Sequence, residues 1–258
     1  ATNERLTEYD RLKNEFLNNV SHELRSPLAA ISSAAKIINR YSDKDPRNDS
    51  KFSSIIIEES RRLSRLINDL LDLAKIEAGG IDWELKPIED PAILLTHVTE
   101  TFKALATEHN LDIRVRTGAR LPPILGDHDR LIQVITNICA NAVKFTPRGG
   151  RITVEAEATT QENTPWVKFS VTDTGHGIPS NQLEAVFDRF HQVQPGQGEH
   201  KPTGTGLGLA ICREVVSYHG GDIWAENTAE GGTRITFVVP ATAEIDAPLA
   251  PGDRPSVH

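Results

Sequence analysis

At 258 residues, with 38% hydrophobic and 25% charged side chains, the chain has room for one large domain or two modest ones, each with a core. A formal net charge of −8 argues against nucleic acid, whose binders carry a basic footprint. It leaves room for a small anionic ligand, which backbone amides hold without net positive charge.

No apolar run approaches a membrane span and no signal peptide opens the chain, so no membrane contact is expected of it. Methionine is absent throughout, position 1 included, so the chain reads as a piece of a longer protein. Over residues 1–40, Leu6, Tyr9, Phe16, Val20, Leu24, Leu28, Ile31, Ala35 and Ile38 recur at helical spacing and predict one long helix. The polar segment "YSDKDPRNDS" (41–50) reads as a short turn. A second helix follows to about Glu77, with Phe52, Ile56, Leu63, Leu66, Leu70 and Leu73 on one face, and stops at Gly79-Gly80. A hairpin alone cannot cover both apolar stripes, so pairing with a second copy into a dimeric four-helix bundle is expected.

After Gly80 the texture changes. Short stretches rich in alternating or β-branched residues predict strands at Trp83–Ile88, Asp112–Arg116, Arg151–Ala158, Trp166–Thr172, Asp222–Asn227 and Arg234–Val239. Helical patterns lie at Pro91–Glu108, His128–Val143 and Leu207–Tyr218. Without a regular strand–helix alternation, this predicts an α+β two-layer sandwich, one sheet covered on one face by helices. The domains are therefore 1–80 and 81–240, with a loose Pro- and Ala-rich tail or linker at 241–258. Cys139 and Cys212 fall in apolar helical patterns and read as reduced core residues of a cytosolic protein.

Three glycine clusters stand out, at 173–178, 204–209 and 230–233. The second runs straight into a helix, where amides and the helix N-terminus favour phosphate. Neither of the first two has dinucleotide-fold spacing, and no P-loop motif is present. Asn137 and Asn141 lie four apart on one helix face, with Lys144 beyond. Asparagine is a mediocre helix former, so the pair suits either a polar surface or a neutral oxygen site for a hard cation. Asp173 ends an apolar strand and is placed to accept a hydrogen bond, for instance from an adenine amino group.

The segments "NICANAVKF" (137–145), "DTGHGIP" (173–179), "FDRF" (187–190), "GTGLGLA" (204–210) and "GGT" (231–233) resemble, in order, the N, G1, F, G2 and final glycine boxes of the Bergerat (GHKL) ATP-binding fold. Sensor histidine kinases, heat-shock chaperones, MutL and type II topoisomerases share that fold. The resemblance implies ATP with Mg²⁺ held by Asn141 and, less directly, Asn137. It implies that Asp173 reads the adenine, Lys144 meets the phosphates, and the amides of Gly204, Thr205, Gly206, Leu207 and Gly208 line the phosphate chain. Phe145, Gly175, Gly177, Ile178 and Thr233 complete the expected nucleotide site, and 178–205 is its expected lid. Many kinases place an arginine after the F box, whereas His191-Gln192 stand here, leaving Arg189 and Lys201 as the candidate γ-phosphate cations.

The stretch "FLNNVSHELRSPLAAI" (16–31) resembles the H box of sensor histidine kinases. At about 100° per residue, His22 lies roughly 200° from both Val20 and Leu24, so its ring points outward. Glu23 is placed to accept from an imidazole N–H, directly or through water, leaving the other nitrogen free to attack. Ser26 shares the exposed face, and Pro27 should bend the helix. The expected function is ATP-dependent autophosphorylation of His22 with Glu23 as base, then transfer to an aspartate of a response-regulator receiver domain. Ser26, where threonine is more frequent in the family, is a candidate for phosphatase activity toward that regulator. Such a piece would be the cytosolic part of a longer sensor protein. The alternative is a GHKL-type ATPase acting as a conformational machine without phosphohistidine, which His22 in a paired helix speaks against. The remaining histidines show no ligand spacing.

Overall fold

The computed structural model describes residues 2–41, 46–118, 120–193 and 205–242. Helices α1 (Thr2–Tyr41) and α2 (Pro46–Glu77) form the hairpin. The turn is shorter than the polar run 41–50 suggested, because α1 continues through Tyr41 and α2 already begins at Pro46. Proline is tolerated in a first helical turn, where its missing N–H has no partner to lose. Pro27 lies buried inside α1 without ending it. Ala34, Leu66 and Leu73 are buried in the hairpin, while Val20, Leu24, Ile31 and Ile38 are half-buried. At its C-terminal end α2 stops through Gly79 (φ +62°), with the Gly79 and Gly80 amides donating to Ile76 and Lys75.

The described residues divide into two compact units. One is the chain up to Ile81 together with the segment from Asp188 to Gly208; the other runs from Asp82 to Phe187 and resumes at Leu209. In the second, β1 (Lys86–Ile88) pairs antiparallel with β3 (Ile124–Gly126). The main sheet has the order β2-β4-β5-β7-β6, from β2 (Asp112–Thr117), β4 (Arg151–Gln161), β5 (Thr164–Asp173), β6 (Asp222–Asn227) and β7 (Thr233–Pro240). Only the β2–β4 pair is parallel. Helices α3 (Ala92–His109), α4 (His128–Phe145) and α5 (Gly208–Tyr218) complete the described regular structure, apart from two short 3₁₀ turns at 180–182 and 185–187.

Register explains the core. Ile152, Val154 and Ala156 of β4 face Asp173, Val171 and Phe169 of β5, and Val171 and Phe169 face Ile235 and Phe237 of β7. All are buried, while Arg151, Thr153, Glu155 and Glu157 alternate outward on β4. Phe169 and Phe237 stack with centroids 4.8 Å apart, and burying each ring is worth about 2–3 kcal/mol. Cys139 and Cys212 are free and buried; burial pushes the Cys139 thiol up to about 12, so it acts as a small apolar side chain.

The first predicted strand, Trp83–Ile88, is confined to Lys86–Ile88. Upstream, the Glu84 amide donates to Asp127 Oδ2 at 3.1 Å instead of joining a ladder, and Trp83 stacks on Tyr218 with centroids 3.8 Å apart. Asp127 also caps α4, its Oδ1 accepting from the Arg130 amide at 3.1 Å. Its own amide donates to His219 Nε2 at 2.9 Å, so the ring proton sits on Nδ1, which donates to the Val215 carbonyl at 2.7 Å.

Candidate functional site

Asp173 sits where β5 ends, 8% exposed. Its Oδ1 accepts from the Gly175 amide at 2.7 Å and the Thr233 amide at 3.2 Å, so the G1 loop and the start of β7 close on one oxygen. Oδ2 accepts no hydrogen bond from the described residues. Burial raises this carboxyl above the usual carboxylate range, while the two amides and His176 pull it back.

The backbone around Asp173 fits only if side chains are missing. A Cβ on Gly232 would lie 1.9 Å from the Asp173 carbonyl oxygen, and one on Gly175 would lie 2.5 Å from the Phe145 carbonyl oxygen. The end of α4, the end of β5 and the β6–β7 turn therefore converge. The Phe145 and His176 rings meet edge to face at 5.8 Å, and Lys144 Nζ sits 4.5 Å above the Phe145 ring. Ile178 is clasped by Asn227: its amide donates to Asn227 Oδ1 at 2.8 Å, and Asn227 Nδ2 donates to its carbonyl at 2.6 Å. Asn227 was not a sequence candidate; a polar residue closing the alternating strand β6 was the one available signal.

Asn137 and Asn141 are half-buried on α4, with Ile138, Cys139, Ala142 and Val143 turned to the core. At about 100° per residue, Lys144 falls roughly 20° from Asn137 on the same face. Among the described residues no cluster of three or more His, Cys, Asp or Glu could hold a metal. A cation here would depend on amide oxygens and on ligand phosphates, the kind of mixed shell that Mg²⁺ accepts.

The G2 segment groups with the hairpin unit. Thr205 Oγ1 donates to Asp69 Oδ2 of α2 at 2.9 Å and accepts from the Leu207 amide at 3.2 Å. Gly206 (φ +68°) packs so closely on Phe190 that a Cβ would lie 2.7 Å from the Phe190 Cα, and the Phe190 amide donates to the Gly206 carbonyl at 2.9 Å. Leu207 is buried and Gly208 opens α5. Arg189 is exposed; Lys201 and Gly204 lie outside the described residues.

On α1, His22 and Ser26 are exposed, as the helical angle required. No hydrogen bond joins His22 to Glu23 in this conformation. Consecutive helical residues diverge by about 100°, and the Glu23 carboxylate is engaged from the other helix, Arg62 Nη2 donating to its Oε2 at 3.1 Å. Arg62 was not a sequence candidate.

Two family models match the chain: the His Kinase A (phospho-acceptor) domain over residues 12–79, and the histidine kinase-, DNA gyrase B-, and HSP90-like ATPase over 126–243. The sensor histidine kinase WalK of Bacillus subtilis is 35% identical, over 91% of this chain and 38% of its own length. Among solved structures, full-length ShkA in complex with AMPPNP shares 32% identity over 89% of this chain and 46% of its own, with a TM-score of 0.62. Histidine kinase ThkA in complex with the response regulator protein TrrA shares 27% over 92% of this chain and 64% of its own, with a TM-score of 0.71. The chain spans 16–38% of the length of curated relatives that it matches. With the two family models falling in order on the hairpin and on the α+β unit, the chain belongs to the sensor histidine kinases and carries their catalytic core, an acceptor domain followed by an ATP-binding domain.

Proposed function

We propose that this core autophosphorylates on His22 and passes the phosphoryl group to an aspartate in the receiver domain of a response regulator. The observation that carries the reading is the presence, in one chain, of an exposed His22 and a buried Asp173 with one oxygen open to a ligand. Asp173 Oδ2 takes the adenine amino group, while Ile178 and Phe145 border the base. The phosphates are assigned to Lys144, with Arg189 or Lys201, and to the backbone amides of 204–208.

Domain movement then brings the γ-phosphorus in line with a His22 ring nitrogen. The nitrogen's lone pair forms the N–P bond as the bond to the bridging oxygen breaks, and that electron pair leaves with ADP. The proton on the other ring nitrogen passes to Glu23. Most of the rate comes from placement and charge neutralisation. Asn141, assisted by Asn137, suits Mg²⁺, which when bound neutralises charge on the phosphate oxygens.

The transfer step is supported by ThkA, whose solved complex contains a response regulator protein. An ATP-dependent reaction places this part of the protein in the cytosol, and among the described residues no helix is long and apolar enough to cross a membrane. Pairing of two hairpins into a four-helix bundle follows from their uncovered apolar stripe. The exposed Ser26 hydroxyl lies one turn beyond His22, where it can hold a water for dephosphorylation of the regulator. A purely conformational ATPase is disfavoured by the acceptor-domain match over 12–79.

Isothermal titration with Mg-ATP tests the nucleotide half. Asn141→Ala is expected to weaken Mg²⁺-dependent binding at least about tenfold, the loss of one cation ligand worth about 1.4 kcal/mol. Unchanged affinity would contradict the assigned metal position.

A further inference from the structure

Glu23 is the sole side chain given the proton in the acceptor step, and the hairpin holds it from the opposite helix. Arg62 Nη2 of α2 donates to Glu23 Oε2 at 3.1 Å, across 39 residues of sequence. On its own helix, Arg62 Nη1 lies 3.9 Å from Glu59 Oε2, one turn earlier. All three side chains are about three-quarters buried, at 24–26% exposure. The Glu59 Oε2 atom is fully buried and has no hydrogen bond, so the Arg62 charge is what compensates it there. Two carboxylates thus share one guanidinium, but only Glu23 is hydrogen-bonded to it.

We infer that Arg62 is a positioning residue for phosphorylation: it anchors Glu23 Oε2 so that Oε1 is the oxygen left to meet the His22 ring, and Glu59 holds Arg62 in place. The inference rests on Glu23 acting on His22. A rigid planar fork that reaches two carboxylates at once fixes the direction of each, which a lysine ammonium does with one contact and less geometry. The arrangement explains why Glu23 makes no direct bond to His22 in this conformation: one oxygen is tied to α2, and the other is free for the ring or for a bridging water once the phosphoryl donor arrives.

The test is a double-mutant cycle on the two-domain chain, with wild type, Arg62→Met, Arg62→Lys, Glu23→Gln and Glu23→Gln/Arg62→Met. Initial rates of label uptake from γ-labelled ATP with Mg²⁺ are measured across ATP concentrations, with thermal melts alongside. Arg62→Met is expected to lower kcat about 10- to 100-fold at an unchanged KM for ATP, the range a misplaced catalytic group produces. Arg62→Lys should recover part of that loss. In the Glu23→Gln background, losing Arg62 should cost less than about twofold more, because the two residues act as one unit.

Three results would overturn the inference: a kcat for Arg62→Met equal to or above wild type, a loss that appears in KM alone, or a full additional loss in the Glu23→Gln background. The last would mean that Arg62 matters through helix packing, and a matching fall in melting temperature would mark it. Failure of the underlying reading looks different: Glu23→Gln itself would phosphorylate as fast as wild type, which overturns both.

Discussion

Asp173 Oδ1 is committed to the amides of Gly175 and Thr233, and its Oδ2 is the oxygen proposed for the base, while burial raises the carboxyl above the ordinary carboxylate value. A group whose folded value is raised adds stability below its unfolded value and loses it as pH rises through the folded one. At neutral pH the ionised Asp173 is therefore a cost to the fold. Asp173→Asn keeps an oxygen for the two amides and removes the charge, so its melting temperature at pH 7 is expected to equal or exceed that of wild type. The amide now points a donor at the adenine amino group, and an unmatched donor pair costs about 1–3 kcal/mol. ATP affinity measured by titration should fall at least about tenfold, and an intact affinity would remove Asp173 from the base site. The strand-end place of Asp173 and the helix face of Asn141 follow from patterns local in sequence. Asn227 and Arg62 were not legible in that way: each acts on a partner 49 or 39 residues away, which spacing along one chain does not reveal.

Between elements, the start of the second domain is fastened by a cluster that no single motif announces. Trp83 stacks on Tyr218, Glu84 donates to Asp127, and Asp127 caps α4 while donating to His219. Strand β1 is short for this reason: its expected first half is spent on side-chain and cap contacts. Strand β3 escaped sequence reading because Ile124–Gly126 is too short to show a period. His219 is buried, and that burial lowers its pKa against the pull of Val215 and Asp127. The fold holds the ring neutral, whereas the unfolded chain takes up a proton below about 6.5. Stability from this group is thus complete above that value and is lost as pH falls through the lowered folded value. Denaturant midpoints at pH 7.5 and 5.5 should therefore drop more in wild type than in His219→Gln. Equal drops would contradict the neutral, Nδ1-protonated ring.

Across the molecule, the hairpin buries one apolar seam and leaves another uncovered. Relative to Ile57, Leu66 and Leu73 lie roughly 180° and 160° round α2, whereas Ile67 and Leu71 lie roughly 80° and 40° from it. Leu66 and Leu73 are buried; Ile57, Ile67 and Leu71 are 52%, 43% and 53% exposed, and Leu28 of α1 is 53% exposed. That second stripe is the surface a second copy would cover. Leu71→Glu places a charge on it in each protomer and should shift sedimentation at micromolar concentration from dimer to monomer, while an unchanged dimer would move the interface elsewhere. At Gly79-Gly80 a helical period gives way to alternation in the sequence, and the compact units part at Ile81–Asp82. The grouping of the G2 segment with the hairpin was not legible in the sequence, since it involves a Thr205–Asp69 hydrogen bond spanning 136 residues.

In the proposed reaction His22 accepts the γ-phosphoryl group of ATP bound by the same protein. Incubation with γ-labelled ATP and Mg²⁺, followed by acid and alkali treatment of the isolated protein, tests it most directly. Wild type is expected to carry an acid-labile, alkali-stable label, and His22→Gln, with ATP affinity and melting temperature retained, is expected to carry none. A label that persists unchanged in His22→Gln would contradict the assignment.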